Sequence, residues 1–456
     1  MGRVGGKVVF VPFTAPGERV EAEVVREKKD YAEAILKRVE SPSPQRVKPF
    51  CSLYGECGGC QYQHYSYGEQ LKLKEEALRE TLHRLARKGS WETFPIIPSP
   101  EDRGYRIRAQ FKIGIKEGQK ILGFYAWRTH RVVETEECPL LHPLAGRILH
   151  GLRQWLGETK AVSLQEIDLQ VSPEEGRGIV NLRGEGPWDD RQVEKLRAGS
   201  IGLKGVGSGG KKQSSWGDLN LVHEGPEISG RKLRFQSSGE SFVQVNPGQN
   251  HNLIRKVVEW ARLGGGEKIV DLFCGSGNLT LPLVLGAKKA WGIDLDRQAI
   301  ESARENAREN GIPHCTFWAG AAEEGIKRVR EETPSVDLAV LDPPRVGAHG
   351  VLEPLVSLQP RKILYVSCEP PTLARDLARL GSLGYNVKRV QPLDMFPQTY
   401  HIEVLAELIA ASDQRSASLK KLAADSQRQE RECRGGPVCP PAAKGAHAGA
   451  PPQFGV

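Results

Sequence analysis

Four short apolar runs, KIVDLF at 268–273, AWGID at 290–294, VDLAVLD at 336–342 and KILYVS at 362–367, alternate with helix-patterned segments from about Asn246 onward. Runs of this length, bounded by turn residues, read as strands buried on both faces. Strands in strict alternation with helices form a doubly wound parallel sheet, because each crossover helix covers one face of the sheet it connects. An α/β domain is therefore expected over 236–411.

The rest of the 456 residues follows other patterns, and at about 150 residues per domain the chain should hold roughly three units. The stretches 7–13 (KVVFVPF), 19–25 (RVEAEVV) and 31–39 (YAEAILKRV) read as strands of a small β-barrel at 1–45. Residues 46–235 mix both periodicities and are expected to form a central α+β domain. A helix is expected over Glu69–Lys88, with Leu71, Leu78 and Leu82 on one side, and another near 144–156. Strands are expected near 105–115, 120–126, 130–135, 165–171, 177–183 and 200–206. Beyond Ala411 the chain is rich in Ser, Gln, Arg, Pro and Gly, and 412–456 is expected to be a disordered tail.

Lys plus Arg (64) exceeds Asp plus Glu (56), a formal charge of +8 that admits a nucleic-acid partner without demanding one. No apolar run reaches the roughly 18 residues of a membrane helix. The opening MGRVGGKVVFVPF lacks a basic segment followed by an apolar core. These features predict a cytoplasmic protein without membrane association. In a reducing compartment the nine cysteines point to metal binding or catalysis rather than disulfides. Cys51, Cys57 and Cys60 form C-x5-C-x2-C, with Cys138 as a remote fourth thiol. Zinc usually draws four thiolates from two C-x2-C pairs, whereas a cluster accepts three from one loop, so the spacing leans towards iron–sulfur. Cys433 and Cys439 lie in the tail without companions and are given no role.

The first strand of the sheet runs into Cys274-Gly275-Ser276-Gly277 and then a helix. Glycines let the backbone pass close to a ligand, and the helix start offers unpaired N–H groups, although Gly-x-Gly alone is equally a tight turn. The next strand, Trp291-Gly292-Ile293-Asp294, ends in a carboxylate placed to accept hydrogen bonds from both hydroxyls of a ribose. The full three-glycine dinucleotide pattern is missing, so S-adenosylmethionine fits better than NAD. A later strand ends in Asp342-Pro343-Pro344-Arg345. This is similar to the acid-Pro-Pro-aromatic loop with which amino-group methyltransferases grip a base, with a cation in place of the ring.

Strand 361–366 leads into Ser367-Cys368-Glu369-Pro370. Cys368 thus falls at the carboxyl edge of the sheet, beside a helix start expected to lower its pKa. Glu403 opens a further apolar strand, an awkward place for a merely solvated acid. A thiolate and a carboxylate base suit methylation at carbon 5 of uracil. That carbon is a poor nucleophile until a thiolate adds to carbon 6, and it must afterwards lose its proton.

Together these motifs resemble the bacterial 23S rRNA (uracil-5-)-methyltransferases that carry an N-terminal TRAM domain and an iron–sulfur cluster, from near residue 1 to about residue 411. The resemblance implies a Rossmann-like S-adenosylmethionine-dependent domain, a TRAM/OB-like barrel, and a central domain with a [4Fe–4S] cluster on Cys51, Cys57, Cys60 and Cys138. It implies that Cys368 is the nucleophile and Glu403 the base. Ser241-Phe242-Val243-Gln244-Val245-Asn246 matches the family's Ser-Phe-Phe-Gln-Val-Asn. Gln244 would then contact the cofactor, as would Phe273, Asn278, Asp294 and Asp342, and Arg345 would position the target base. The implied partner is 23S rRNA, with the T-loop of tRNA as the alternative, and the implied state is a monomer.

The sequence also departs from the family. Glu369 replaces the usual Asn after the nucleophile, and its charge should oppose thiolate formation. Ala321 stands where an acid or amide near the adenine is common, and Asp294 is shorter than the common Glu. A strand expected before the Gly-Lys-Val-Val-Phe-Val-Pro segment is missing, which suggests that Met1 is an internal start. Two other classes compete. A radical enzyme would use C-x3-C-x2-C with an open iron, which Cys138 would close. A non-catalytic RNA-binding protein would leave Cys368 and Glu403 without purpose. The basic and aromatic stretches 103–108 and 125–131 suit phosphate contacts and base stacking, or equally a solvated strand face.

Overall fold

The computed structural model describes residues 2–85, 91–159, 163–185, 188–209, 214–239 and 241–411. The expected tail at 412–456, with Cys433 and Cys439, lies outside the described residues.

The carboxy-terminal sheet has eight strands, ordered Cys315–Ala319, Lys289–Asp294, Lys268–Leu272, Leu338–Leu341, Lys362–Ser367, Glu403–Ala410, Tyr385–Leu393 and Glu92–Thr93. The first five run parallel, and Glu403–Ala410 is antiparallel to both its neighbours. Chain order reverses between Lys268–Leu272 and Leu338–Leu341, and such a switch point opens a crevice at the carboxyl ends of the strands. Successive side chains along each strand enter opposite cores. Val270, Leu272, Ile293, Leu341 and Tyr365 join one cluster with the helices Ala322–Glu332 and Pro370–Ser382. Ile269, Ala290, Val340, Leu364 and Val366 join another with Pro247–Ala261 and Arg297–Glu309. Both faces are buried, so the strands read as unbroken apolar runs.

The helix Tyr67–Leu85 has its apolar side where the leucine spacing places it, but its assignment to the central domain does not hold. Leu78 and Leu82, each 1% exposed, complete the first of these cores, and Glu92–Thr93 pairs with Tyr385–Leu393 as the edge strand. An amphipathic pattern says that a face is covered, not by what.

The middle of the chain builds a seven-stranded sheet, ordered Ser214–Gly217, Leu203–Gly209, Arg177–Glu185, Ser163–Ser172, Arg108–Lys116, Gln119–Tyr125 and Val132–Glu134. The helices Pro143–Glu158 and Asp190–Gly199 bury Ile148, Leu149, Leu152, Val193 and Leu196 against it. A hairpin, Leu221–Ile228 with Arg231–Ser237, places Ile228 and Leu233 in the second core of the carboxy-terminal sheet. At the amino terminus four strands pair in the order Gly2–Val4, Lys7–Phe10, Tyr31–Ser41 and Arg19–Glu27. A strand therefore does precede the Gly-Lys-Val-Val segment, joined to it through Gly5 and Gly6 at φ +56° and +82°. Glu18 ties this sheet to the next segment. Its carboxylate accepts from Arg46 Nη2 (2.7 Å) and from the N–H of Ala15 (2.7 Å) and Ser43 (3.2 Å), contacts that lower its pKa to about 2. Among the described residues no helix is long and apolar enough to cross a membrane.

Candidate active site

At the switch point the loop after Leu272 turns on Phe273 (φ +64°), Gly275 (+52°) and Gly277 (+89°). A positive φ is costly for a bulky residue; Phe273 is held there by its N–H on the Ile293 carbonyl (2.8 Å). A Cβ at Gly277 would meet Leu281 Cγ at 3.1 Å, so both conformation and packing demand glycine. Half-buried Asp294 ends the neighbouring strand and accepts from the N–H of Gly275 and Asp296, both at 2.9 Å. Asn278 exchanges amide hydrogen bonds of 2.9 and 3.0 Å with Asn250 on the helix Pro247–Ala261, a partner that motif reading did not supply. Gln244 is half-buried just before Asn246, whose side chain caps that helix on Gln249 N (3.1 Å). Ala321 occupies the N-cap of Ala322–Glu332 without a side-chain cap.

Sequence reasoning also passed over Asp271, although an acid inside KIVDLF was a signal of the same kind as Glu403. Asp271 is wholly buried. Its Oδ2 accepts from Thr280 Oγ1 at 2.5 Å and its Oδ1 has no partner among the described residues. Burial raises its pKa to about 8, and burial together with the Asp294 charge raises Asp342 to about 7. Three carboxyl groups at one strand edge, one with an orphaned oxygen, suit a ligand that carries positive charge. S-adenosylmethionine carries a sulfonium and an ammonium group, and the carboxyl oxygens present fit it as acceptors and counter-charges.

Cys368 reaches the same edge from Lys362–Ser367 and is half-buried. Its expected low pKa is corrected by the structure: the thiol is pushed up to about 11. The helix Pro370–Ser382 does begin there, but burial dominates, and Glu403, Asp342 and, least of the three, Glu369 act in the same direction against Arg345. The main chain of Glu369 shapes the turn, with its N–H on Ser367 Oγ at 3.2 Å. Thr372 Oγ1 lies 3.0 Å from the carbonyls of both Glu369 and Arg345, and Arg375 Nη2 donates to the Val346 carbonyl at 2.8 Å. Buried Asp376 accepts from Ala348 N and Tyr365 Oη, both at 2.7 Å. The Arg345 loop is thereby clipped to the helix that follows the thiol. Glu403, 4% exposed, opens the final strand opposite Leu393; burial first and Asp342 second hold its carboxyl well above the usual range.

The four cysteines 51, 57, 60 and 138 are free thiols and line one cavity of about 1380 Å³, together with Phe13, Arg106, Trp127 and Tyr400. Burial, reinforced by the neighbouring thiols, pushes Cys57 up to about 11, Cys60 up to about 12, and Cys138 upward. Among the described residues no group of three or more His, Cys, Asp or Glu is placed to hold a metal ion. Of the basic and aromatic stretches, Arg106, Arg108 and the segment Tyr125–His130 face this cavity. Part of their charge is already committed: Arg108 forks onto Asp168 (3.2 and 3.0 Å), Arg128 meets Glu33 (3.2 Å) and Arg131 meets Glu56 (2.9 Å).

The strand order, the glycine turn, the acid-ended neighbouring strand and the carboxyl-lined crevice define an S-adenosylmethionine-dependent methyltransferase. Residues 66–410 match the family model for tRNA (Uracil-5-)-methyltransferase, and residues 1–37 match the TRAM domain. The chain belongs to the RNA (uracil-5-)-methyltransferase family. It is 36% identical over 410 residues to an RNA methyltransferase of Aquifex aeolicus, covering 89% of this chain and 94% of that one. It is 34% identical over 425 residues to one from Caldanaerobacter subterraneus, covering 89% and 94%. The structure is similar to the Pyrococcus abyssi tRNA (uracil-54, C5)-methyltransferase in complex with S-adenosyl-L-homocysteine. There the TM-score is 0.69 and the identity 26%, over 88% of this chain and 96% of that one.

Proposed function

We propose that this enzyme methylates carbon 5 of a uridine in 23S rRNA through a covalent adduct on Cys368. The observation that carries the reading is the convergence of Cys368, Glu403, Asp342 and Arg345 at the carboxyl edge of the sheet, where Asp342 is also a neighbour of Asp294. The Cys368 sulfur bonds to carbon 6, and the displaced electron pair makes carbon 5 nucleophilic. Carbon 5 takes the methyl group and S-adenosylhomocysteine leaves. The Glu403 carboxylate takes the carbon 5 proton, the ring double bond reforms, and the carbon–sulfur bond breaks to return the thiolate. Arg345 supplies positive charge beside the sulfur and orients the base. Gln244, Phe273, Asn278, Asp294 and Asp342 hold the cofactor, with Asp294 on the ribose. Asp294→Ala is expected to weaken S-adenosylmethionine binding by about 1–3 kcal/mol in calorimetric titration, the cost of leaving polar groups unpaired; unchanged affinity would remove that role.

The rRNA substrate is supported by the likeness of the barrel and cysteine loop to the 23S rRNA enzymes. The similarity to an enzyme acting on uracil 54 of tRNA favours a second reading, the same chemistry on the tRNA T-loop. Expression in cells lacking their own uracil-5 methyltransferases, followed by mapping of 5-methyluridine, decides between them. A new mark in 23S rRNA is expected, and one confined to the T-loop would replace the substrate and keep the chemistry. In this reading the enzyme works in the cytoplasm as a monomer.

We further propose that Cys51, Cys57, Cys60 and Cys138 hold a [4Fe–4S] cluster. The donor set suits it: four unoxidised thiols line one cavity. Methyl transfer is redox-neutral, so the cluster's contribution when bound is structural or in contact with RNA. Protein purified anaerobically is expected to be brown and to carry about four irons per chain. One zinc and no iron would overturn the assignment and leave the methyltransferase reading intact.

A further inference from the structure

Between Leu393 and Glu403 the chain forms a loop whose contacts come almost wholly from segments far earlier in the sequence. Its centre is Gln398, 2% exposed and held at φ +70°, a conformation unfavourable for a residue of this size. The N–H groups of Gln61 and Tyr62, the two residues directly after Cys60, both donate to the Gln398 carbonyl at 3.0 Å. Gln70 on the helix Tyr67–Leu85 makes a two-way pair with the same residue. Its Nε2 donates to Gln398 Oε1 and its Oε1 accepts from the Gln398 N–H, both at 2.9 Å. One turn along that helix, Lys74, itself 2% exposed, donates to Asp394 Oδ1 at 2.5 Å and to the Phe396 carbonyl at 3.0 Å. Tyr105 Oη donates to the Pro397 carbonyl at 3.1 Å. Beyond Gln398, Thr399 Oγ1 donates to the Phe396 carbonyl at 2.8 Å and accepts from the His401 N–H at 3.2 Å, which stiffens the turn that delivers Glu403.

We infer that the Gln70–Gln398 pair is a positioning device for the catalytic base, acting on the same residue whose carbonyl the cysteine loop holds through the N–H groups of Gln61 and Tyr62. This inference rests on the role proposed for Glu403. Met395, Phe396 and Ile402 anchor the two ends of the loop in the cores, but the segment between them is polar, and its left-handed residue persists only while neighbouring structure dictates it. Loosening the pair therefore displaces the proton acceptor without touching the nucleophile or either substrate. Proton removal is the last step before release, so its failure leaves methylated RNA bound to Cys368.

Two variants test this. Gln398→Asn keeps a side chain that tolerates the left-handed backbone but is too short to accept from Gln70 Nε2, leaving only the backbone N–H on Gln70 Oε1. Gln70→Leu keeps the volume and loses both hydrogen bonds to Gln398, along with the one to the Tyr65 carbonyl. Each is expected to lower kcat tenfold or more, to leave KM for RNA and the affinity for S-adenosylmethionine within about twofold, and to accumulate a denaturant-stable protein–RNA adduct in the steady state. The double variant should fall little further than either single one, because the pair acts as one unit. A purely structural role would raise KM and lower the melting temperature with no adduct, and that result overturns the inference. Unchanged kcat in both variants overturns it as well. Cys368→Ala run alongside separates the two levels: methylation by that variant would sink the proposed mechanism itself. Normal behaviour of Cys368 and Glu403 variants without adduct in the glutamine variants would sink only this inference.

Discussion

Cys368→Ala is expected to bring RNA methylation down by at least about 10³-fold and to abolish any covalent protein–RNA species. The side chain sits where the strand Lys362–Ser367 leaves the sheet, and its removal deletes the only group proposed to attack carbon 6. Binding should survive, because the cofactor crevice lies around Asp271, Asp294 and Asp342 and the alanine leaves the clip between the Arg345 loop and the Pro370–Ser382 helix in place. The free thiol, held up to about 11, is neutral near pH 7. Adduct formation by the wild type should therefore rise as pH rises towards that value, the sign expected when the deprotonated form reacts. RNA carrying 5-fluorouracil should trap the wild type irreversibly, since the fluorine on carbon 5 cannot leave as a proton. A gel under denaturing conditions reads both results. Methylation by Cys368→Ala, or the absence of a fluorouracil adduct with the wild type, would rule out the covalent route.

The parts of the fold that follow from local pattern were legible in the sequence. Apolar strands in alternation with helices dictated the parallel sheet, and acids at strand ends marked Asp294, Asp342 and Glu403, because a charge beside a buried strand needs a reason to be there. The parts set by distant contacts were not. The helix Tyr67–Leu85 shows its apolar side in its leucines, yet nothing local says that Leu78 and Leu82 complete the core of a domain two hundred residues away. The Asn250–Asn278 and Gln70–Gln398 pairs are invisible for the same reason: an amide can pair with almost any polar group, so only the folded geometry identifies its partner. The direction of the Cys368 pKa was missed because a helix start is visible in sequence, as is the opposing charge of Glu369, whereas burial and the convergence of Glu403 and Asp342, which outweigh both, are not.

Glu403→Gln should fail in a different way from Cys368→Ala. Glutamine matches the volume of the carboxyl and can be buried at the start of the final strand with little rearrangement, but it cannot take a proton. Addition to carbon 6 and methyl transfer remain possible; elimination does not. One methyl group per enzyme should therefore reach RNA quickly and stay there, seen with labelled cofactor as a slow-migrating protein–RNA band, while multiple turnover disappears. The acid side of the pH profile carries a second signature. Burial and the Asp342 charge raise the Glu403 carboxyl, and the deprotonated form is the base, so wild-type release should slow on acidification at a pH well above that of an ordinary glutamate. The glutamine variant should lack that dependence. The thiol and the carboxyl both become active as pH rises, so single-turnover measurements are needed to separate them: adduct formation follows Cys368 and adduct decay follows Glu403. Near-normal turnover by Glu403→Gln would move the base elsewhere, and Asp342, the raised carboxyl that acts on both Cys368 and Glu403, would be the next residue to replace.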